Sequence, residues 1–388
     1  MRRSVDRFLT THTGSLPRPP ELVQLLAARE RGEIGADALA GPVEQAVRDI
    51  VGRQVQAGVD VVNDGEMGKP SYSGYVRDRL TGFEGEGEQV PIADFMQYPA
   101  YAERWVRENA TEAGQFLNQP ACVADIRVKD PDAVHRDIAN LKKALERVPA
   151  EEAFITAAAP GVIGVFFANR HYPSREAYLG AIGDAMRHEY EAIVDAGFLL
   201  QLDCPELALG RHIQFADLTL DEFRREARAS VQALNDATAN IDPDRMRMHL
   251  CWGNYEGPHH LDVELEDIID IVLEARPNGI SIEACNPRHE HEWAVFEDVR
   301  LPDGKLLIPG VIDSTNNYIE HPELIAQRLL RYARVAGREN VIAGSDCGFA
   351  TAAGILSVDP AITWAKLESM QEGARIADAR AQGASLSG

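Results

Sequence analysis

Residues 175–251 read REAYLGAIGDAMRHEYEAIVDAGFLLQLDCPELALGRHIQFADLTLDEFRREARASVQALNDATANIDPDRMRMHLC. Apolar residues fall at helical spacing over Arg175–Asp195, and the short apolar run Phe198–Asp203 follows. Helical spacing returns over Leu220–Ala239, and a second short run, Arg245–Cys251, closes the stretch. Short apolar runs that end in polar residues and alternate with longer helical segments are the pattern of buried parallel strands joined by helices. The same rhythm extends in both directions. Six further runs, Phe8–Thr13, Val59–Asp64, Ala153–Ala158, Gly279–Glu283, Leu306–Asp313 and Asn340–Ser345, are joined by helical segments such as Leu39–Ala57, Asp262–Glu274, Pro322–Ala336 and Pro360–Arg380. Eight alternating units predict an α/β fold, a TIM-type (β/α)8 barrel, with residues 1–388 forming a single barrel. Two stretches break the rhythm. Residues from about 75 to 129 carry Gly82, Gly85, Gly87 and the strand-like Ala121–Val128, and read as an insertion after the second strand, a hairpin with a helix that could act as a lid. Pro302, Asp303 and Gly304 mark a turn before the seventh strand.

The chain has 388 residues, 45% hydrophobic and 26% charged, which is globular usage and excludes disordered and fibrous classes. Lys plus Arg number 39 against 61 Asp plus Glu, a net charge of −22 spread along the chain, so nucleic acid and anionic membranes are not expected partners. Five cysteines, Cys122, Cys204, Cys251, Cys285 and Cys347, are too sparse for a disulfide framework, and their odd number fits reduced thiols. The N-terminal charges are followed by polar Thr10, Thr11 and His12 in place of an apolar signal, and no window approaches the roughly 18 to 20 apolar residues of a membrane span. A cytoplasmic protein is expected. No pattern in the sequence sets an oligomeric state.

In a (β/α)8 barrel the chemistry gathers at the C-terminal strand ends. Those ends carry His12 and Ser15; Asn63, Asp64 and Glu66; Asp203; His249 and Cys251; Glu283 and Cys285; Asp313; and Asp346 and Cys347. His249 and Cys251 stand two residues apart, so in extended backbone both side chains point the same way and can grip one ion. Glu283 and Cys347 at other strand ends complete a set of one imidazole, two thiolates and one carboxylate, which suits zinc better than magnesium or calcium. An isolated His-x-Cys pair is more often packing than ligation. Cys285 shares strand parity with Glu283 and is an alternative fourth ligand, while Cys122 and Cys204 read as buried hydrophobes.

The chain resembles the C-terminal catalytic half of the cobalamin-independent methionine synthases and the related epoxyalkane:coenzyme M transferases over nearly its whole length. The resemblance rests on Thr11-His12-Thr13-Gly14-Ser15-Leu16-Pro17, Asp64-Gly65-Glu66, Gln201-Leu202-Asp203, His249-Leu250-Cys251, Ile282-Glu283, Pro309-Gly310-Val311-Ile312-Asp313 and Ser345-Asp346-Cys347-Gly348, all in order. It implies that His249, Cys251, Glu283 and Cys347 bind Zn2+, and that Glu66, Asp203 and the Ser15 backbone hold an amino-acid thiol. The implied reaction is methyl transfer to the thiol of homocysteine, or a related aminothiol, through a zinc-bound thiolate, with Glu283 as the ligand that yields to the incoming sulfur. Asp313, Glu66 and Asp203 are the implied catalytic residues. A free thiol near pKa 8.5 is mostly protonated at neutral pH, and zinc lowers that value. Two carboxylates suit an ammonium group better than a sulfonate, although each could instead serve a salt bridge or a helix cap.

The departures concern the alkyl or methyl donor, for which methyltetrahydrofolate is the family's candidate. Where the full-length enzymes carry a proton-donating histidine two residues past the aspartate, this chain has Thr315, which cannot shuttle a proton near neutral pH. His289 and His291, just after Glu283, are within sequence reach of the site, and His321 lies farther along. Phe166 stands near the family's pterin-stacking tryptophan, and the N-terminal half that helps bind folate has no counterpart in these residues. Two alternatives remain: thiol opening of an epoxide, using Lys69, Arg18 or Arg170 toward a sulfonate, and a non-catalytic zinc-binding protein.

Overall fold

The computed structural model describes residues 1–85, 87, 92–109 and 119–385. Its strands are β1 (Val61–Asn63), β2 (Phe83–Glu84), β3 (Ala121–Cys122), β4 (Glu152–Ala158), β5 (Leu199–Asp203), β6 (Met246–Leu250), β7 (Gly279–Ile282), β8 (Leu306–Ile312) and β9 (Gly344–Ser345). Seven form one parallel sheet in the order β1-β4-β5-β6-β7-β8-β9. The segment Leu9–Thr11 closes it: Thr11 N donates to Ala343 O and Ala343 N to Leu9 O, both at 2.8 Å, and Val61 N donates to Thr10 O at 3.0 Å. The sheet curls into the expected TIM-type barrel. The predicted first run supplies its eighth stave without forming a regular strand.

Side chains alternate across the barrel wall, as the two-residue period of a strand requires. On β6, Met246, Met248 and Leu250 pack outward into the large core under the helices, while Arg247 points inward, donating to Thr11 Oγ1 and His12 O, both at 2.9 Å, with its guanidinium 4.3 Å from the Phe154 ring. The barrel floor is apolar. Leu9, Leu306, Ile308 and Ile342 form one cluster, Val61, Phe154 and Leu199 another, and Met1 packs against both.

The helices begin where capping chemistry dictates. Ser174 Oγ accepts from Ala177 N at the start of Arg175–Asp195, and Thr219 with Glu222 forms a reciprocal capping box at the start of Leu220–Ala237. The helix expected from Asp262 to Glu274 is shorter: a 3-10 turn over Leu265–Asp267 precedes a helix over Ile269–Glu274. The groups that would form its first turn bond elsewhere. Asp262 receives His259 and His289, Val263 O accepts from Trp252 Nε1, and Leu265 N donates to Glu292.

Between β1 and β4 the chain leaves the barrel. Short helices at Val76–Arg79, Ala93–Met96 and Pro99–Asn109 accompany the antiparallel pair β2–β3. Of the strand-like Ala121–Val128 only Ala121–Cys122 is strand, with a further bridge between Leu80 and Val128. Asp94 ties this segment down by accepting from Tyr255 Oη and His259 N, both at 2.9 Å. Residues 86, 88–91 and 110–118 of the expected insertion lie outside the described residues.

Candidate active site at the barrel mouth

Strand parity continues past the end of β6. His249 and Cys251 face the same interior as Arg247, and the turn after β9 brings Cys347 to them, with 3.5 Å between the two sulfurs. The ligand atoms of His249, Cys251 and Cys347 all lie within 4.8 Å of one another, and all three residues are buried. His249 Nδ1 rests 3.3 Å from Ser281 Oγ, and its Nε2 is buried without a partner. Burial and the Arg247 charge lower its pKa to about 3, so a nitrogen lone pair is available at neutral pH. The contact with Cys347, together with burial, pushes the Cys251 thiol well above its usual range. Two desolvated thiols side by side do not ionise unaided, whereas a soft divalent cation between them reverses the sign of that electrostatics. An orphaned imidazole nitrogen facing two close sulfurs fits zinc.

Glu283 is buried beside this trio but is not among the three atoms that close on one point. Its Oε1 accepts from Trp252 N at 2.8 Å and its Oε2 from Asn286 Nδ2 at 2.9 Å. Cys285 is not in the cluster; its backbone N–H donates to Asp346. Cys122 and Cys204 are core residues, as expected.

A cavity of about 100 Å3 opens beside the cluster, lined by Ser15, Glu66, Asp203, Tyr72, Asn254 and Thr351 together with His249, Cys251 and Cys347. Glu66 has left-handed backbone, φ 58°, after Gly65 at φ 64°. Its Oε1 accepts from Thr156 Oγ1 at 2.9 Å, Lys69 Nζ donates to the same threonine, and its Oε2 is buried with no partner. A Cβ at residue 14 would lie 2.8 Å from Glu66 Oε1, and one at residue 348 would lie 2.1 Å from Ser15 Oγ, so the two motif glycines let these groups approach. Asp203 Oδ1 accepts from Gln201 Nε2 at 2.9 Å; burial, then the neighbouring Glu66, raises its pKa to about 8. An ammonium placed between Glu66 and Asp203 would relieve both effects.

Other expected residues sit elsewhere. Asp313 is buried at the end of β8 but does not line the cavity. Its oxygens accept from Thr315 N, Thr315 Oγ1 and Asn316 Nδ2, at 2.6 to 2.7 Å, so it organises its own loop. Phe166 ends the helix Pro160–Phe166 and meets the Tyr72 ring edge-on at 6.2 Å, reaching the cavity only through that tyrosine. His289 stacks on Trp252 and pairs with Asp262 and Glu292, while His321 caps the helix Pro322–Ala336. Arg18 donates to Ala350 O and Glu66 O, and Lys69 to both oxygens of Thr156, so neither cation is directed at a ligand. Tyr72 and Arg247 were not anticipated. Arg247 shares parity with His249 and Cys251, a signal present in the sequence, whereas nothing in the spacing marks Tyr72.

Residues 8–375 match the family described as cobalamin-independent synthase, catalytic domain. The methionine synthase of Saccharolobus solfataricus is 23% identical over 370 residues, covering 95% of this chain and 94% of that protein. The uncharacterized protein YxjH of Bacillus subtilis is 26% identical, covering 93% and 92%. Among solved structures, a B12-independent methionine synthase from Shewanella sp. W3-18-1 in complex with selenomethionine superposes with a TM-score of 0.74 at 18% identity, covering 97% of this chain and 99% of the other. With a family match running from the first stave to the last helix, this chain belongs to the cobalamin-independent synthase catalytic-domain family.

Proposed function

We propose that the protein is a zinc-dependent S-alkyltransferase that transfers a methyl group to the thiol of homocysteine or a closely related aminothiol, with the whole chain acting as one catalytic barrel. The observation that carries this reading is the sharing of one cavity by two unsatisfied centres. His249 Nε2 stands with the Cys251 and Cys347 sulfurs on one side, and Glu66 Oε2 with Asp203 on the other. Curated relatives named methionine synthase support the same reading.

His249, Cys251, Cys347 and Glu283 would hold zinc, which supplies a lowered thiol pKa and so a sulfur nucleophile at neutral pH. Glu283 is suited to be the residue that withdraws, since Trp252 N and Asn286 Nδ2 already donate to its oxygens. Glu66 and Asp203 bind and orient the ammonium. The Lys69–Thr156 contact fixes Glu66, the Gln201 amide fixes Asp203, and burial excludes competing water. The donor is an alkyl or methyl compound, with methyltetrahydrofolate one candidate. Commitment of Arg18 and Lys69 to internal oxygens argues against a sulfonate acceptor, and a zinc store has no use for the paired carboxylates.

The test is metal content followed by zinc-edge X-ray absorption. About one zinc per chain, with two sulfur neighbours rising to three on adding homocysteine, is expected. Cys251→Ser and Cys347→Ser should each lose zinc and turnover. A protein that binds no zinc, or whose sulfur count ignores homocysteine, overturns the reading.

A further inference from the structure

Tyr72 lines the cavity with all three metal-site residues, and its hydroxyl makes no hydrogen bond among the described residues. The polar side chains around it are largely committed. Thr13 Oγ1 donates to Ser345 O, Asn254 Nδ2 donates to Gly348 O, and Asn254 Oδ1 accepts from Ser314. At the place of the family's proton-donating histidine, Thr315 donates to Asp313 and closes its own loop.

Tyr72 is also held firmly. Its N–H donates to Thr351 O at 3.1 Å, Ser71 bridges Ala352, and Phe166 meets the ring edge-on. An unspent donor on a fixed ring facing the reaction space is what electrostatic preorganisation requires.

We propose that the Tyr72 hydroxyl donates a hydrogen bond to the sulfur of the bound aminothiol, stabilising its thiolate and aiming its free lone pair at the alkyl donor. Burial, the main influence on the phenol, raises its pKa above its ordinary value, so it acts as a donor and not as a base. No proton leaves Tyr72 in this role. The hydroxyl adds a geometric criterion for thiol selection.

This inference rests on the thiol-site reading above. The test loads the full chain with cobalt(II) in place of zinc and follows the thiolate-to-cobalt absorption during homocysteine titrations from neutral to alkaline pH. Wild type, Tyr72→Phe and Tyr72→Leu are compared. Tyr72→Phe keeps the ring against Phe166. It is expected to bind metal normally, to require a pH higher by about one unit for thiolate formation, to move the band to lower energy, and to lower kcat about tenfold. A Tyr72→Phe protein that matches wild type while Tyr72→Leu does not makes the ring a packing element and overturns the inference. A wild-type protein with no thiol-dependent band overturns the underlying thiol-site reading instead.

Discussion

Glu66 holds a left-handed backbone that glycine adopts more easily, and its outer carboxylate oxygen is buried without a partner. Strain of about 1 to 3 kcal/mol at such a position persists only where the surroundings fix it, here through Thr156 and the Arg18 contact to Glu66 O. Glu66→Gln keeps the shape and removes the charge. It should raise KM for an aminothiol about 10- to 100-fold while leaving KM for the same thiol without its amine nearly unchanged. Equal effects on both thiols would show that Glu66 does not read the ammonium. Asp203 gives a separate pH signature. Its ordinary pKa of 3.8 rises to about 8 in the fold, through burial and then Glu66, so between those values the native state keeps a proton that the unfolded chain has lost. Its contribution to stability is therefore complete below about pH 4, declines as pH rises, and is gone above about pH 8. In urea titrations of chelator-treated protein, Asp203→Asn should flatten the stability–pH profile across that window. A profile as steep as wild type would assign the slope to another group.

At the scale of elements, capping and period acted where local chemistry was sufficient. Thr219 and Glu222 satisfy each other's backbone N–H groups at the start of Leu220–Ala237. Thr219→Ala should cost about 1 kcal/mol and lower Tm by roughly 2 °C, with activity intact, as read by calorimetry and initial rates. A silent substitution would place the stability of that helix entirely in its buried face. The same local logic made the parallel strands and the helices at Arg175–Asp195 and Pro322–Ala336 legible, because their apolar period and their caps lie within a few residues. It failed at Asp262, where an apolar period suggested a helix but the carboxylate pairs with three histidines, His212, His259 and His289, and Trp252 Nε1 donates to the next carbonyl. It was also incomplete at the site. His249, Cys251 and Cys347 were visible as ligand-type residues at strand ends. The inward turn of Tyr72 depends on pairing with residues 351 and 352, and the loop-bound state of Asp313 on Thr315 and Asn316. Contacts of the first kind have no local sequence mark.

Across the whole molecule, the candidate site exists only because the barrel closes. Ser15 comes from the first stave, Glu66 from the second, Asp203 from the end of β5, His249 and Cys251 from β6, Glu283 from β7 and Cys347 from the turn after β9. Thr13 and Ser345 join the first and last staves through two hydrogen bonds at 3.1 Å. Asp346 then ties the last stave to the loop that carries Glu283. Its Oδ1 accepts from Ala284 N at 2.8 Å and Cys285 N at 3.0 Å, and its Oδ2 from Asn286 N at 2.9 Å. Burial, then Asp313, raises its pKa, while the three converging backbone N–H donors favour the carboxylate as their negative acceptor. Asp346→Asn would turn one of those oxygens into an amide that faces an N–H, whichever way the side chain flips. A buried donor left against a donor costs about 1 to 3 kcal/mol, and the loop holding Glu283 is the part free to relax. The variant should therefore melt earlier and release zinc to a chelator faster than wild type, with His249, Cys251 and Cys347 all still present. Earlier melting with an unchanged zinc release rate would separate barrel closure from metal retention and remove Glu283 from the ligand set.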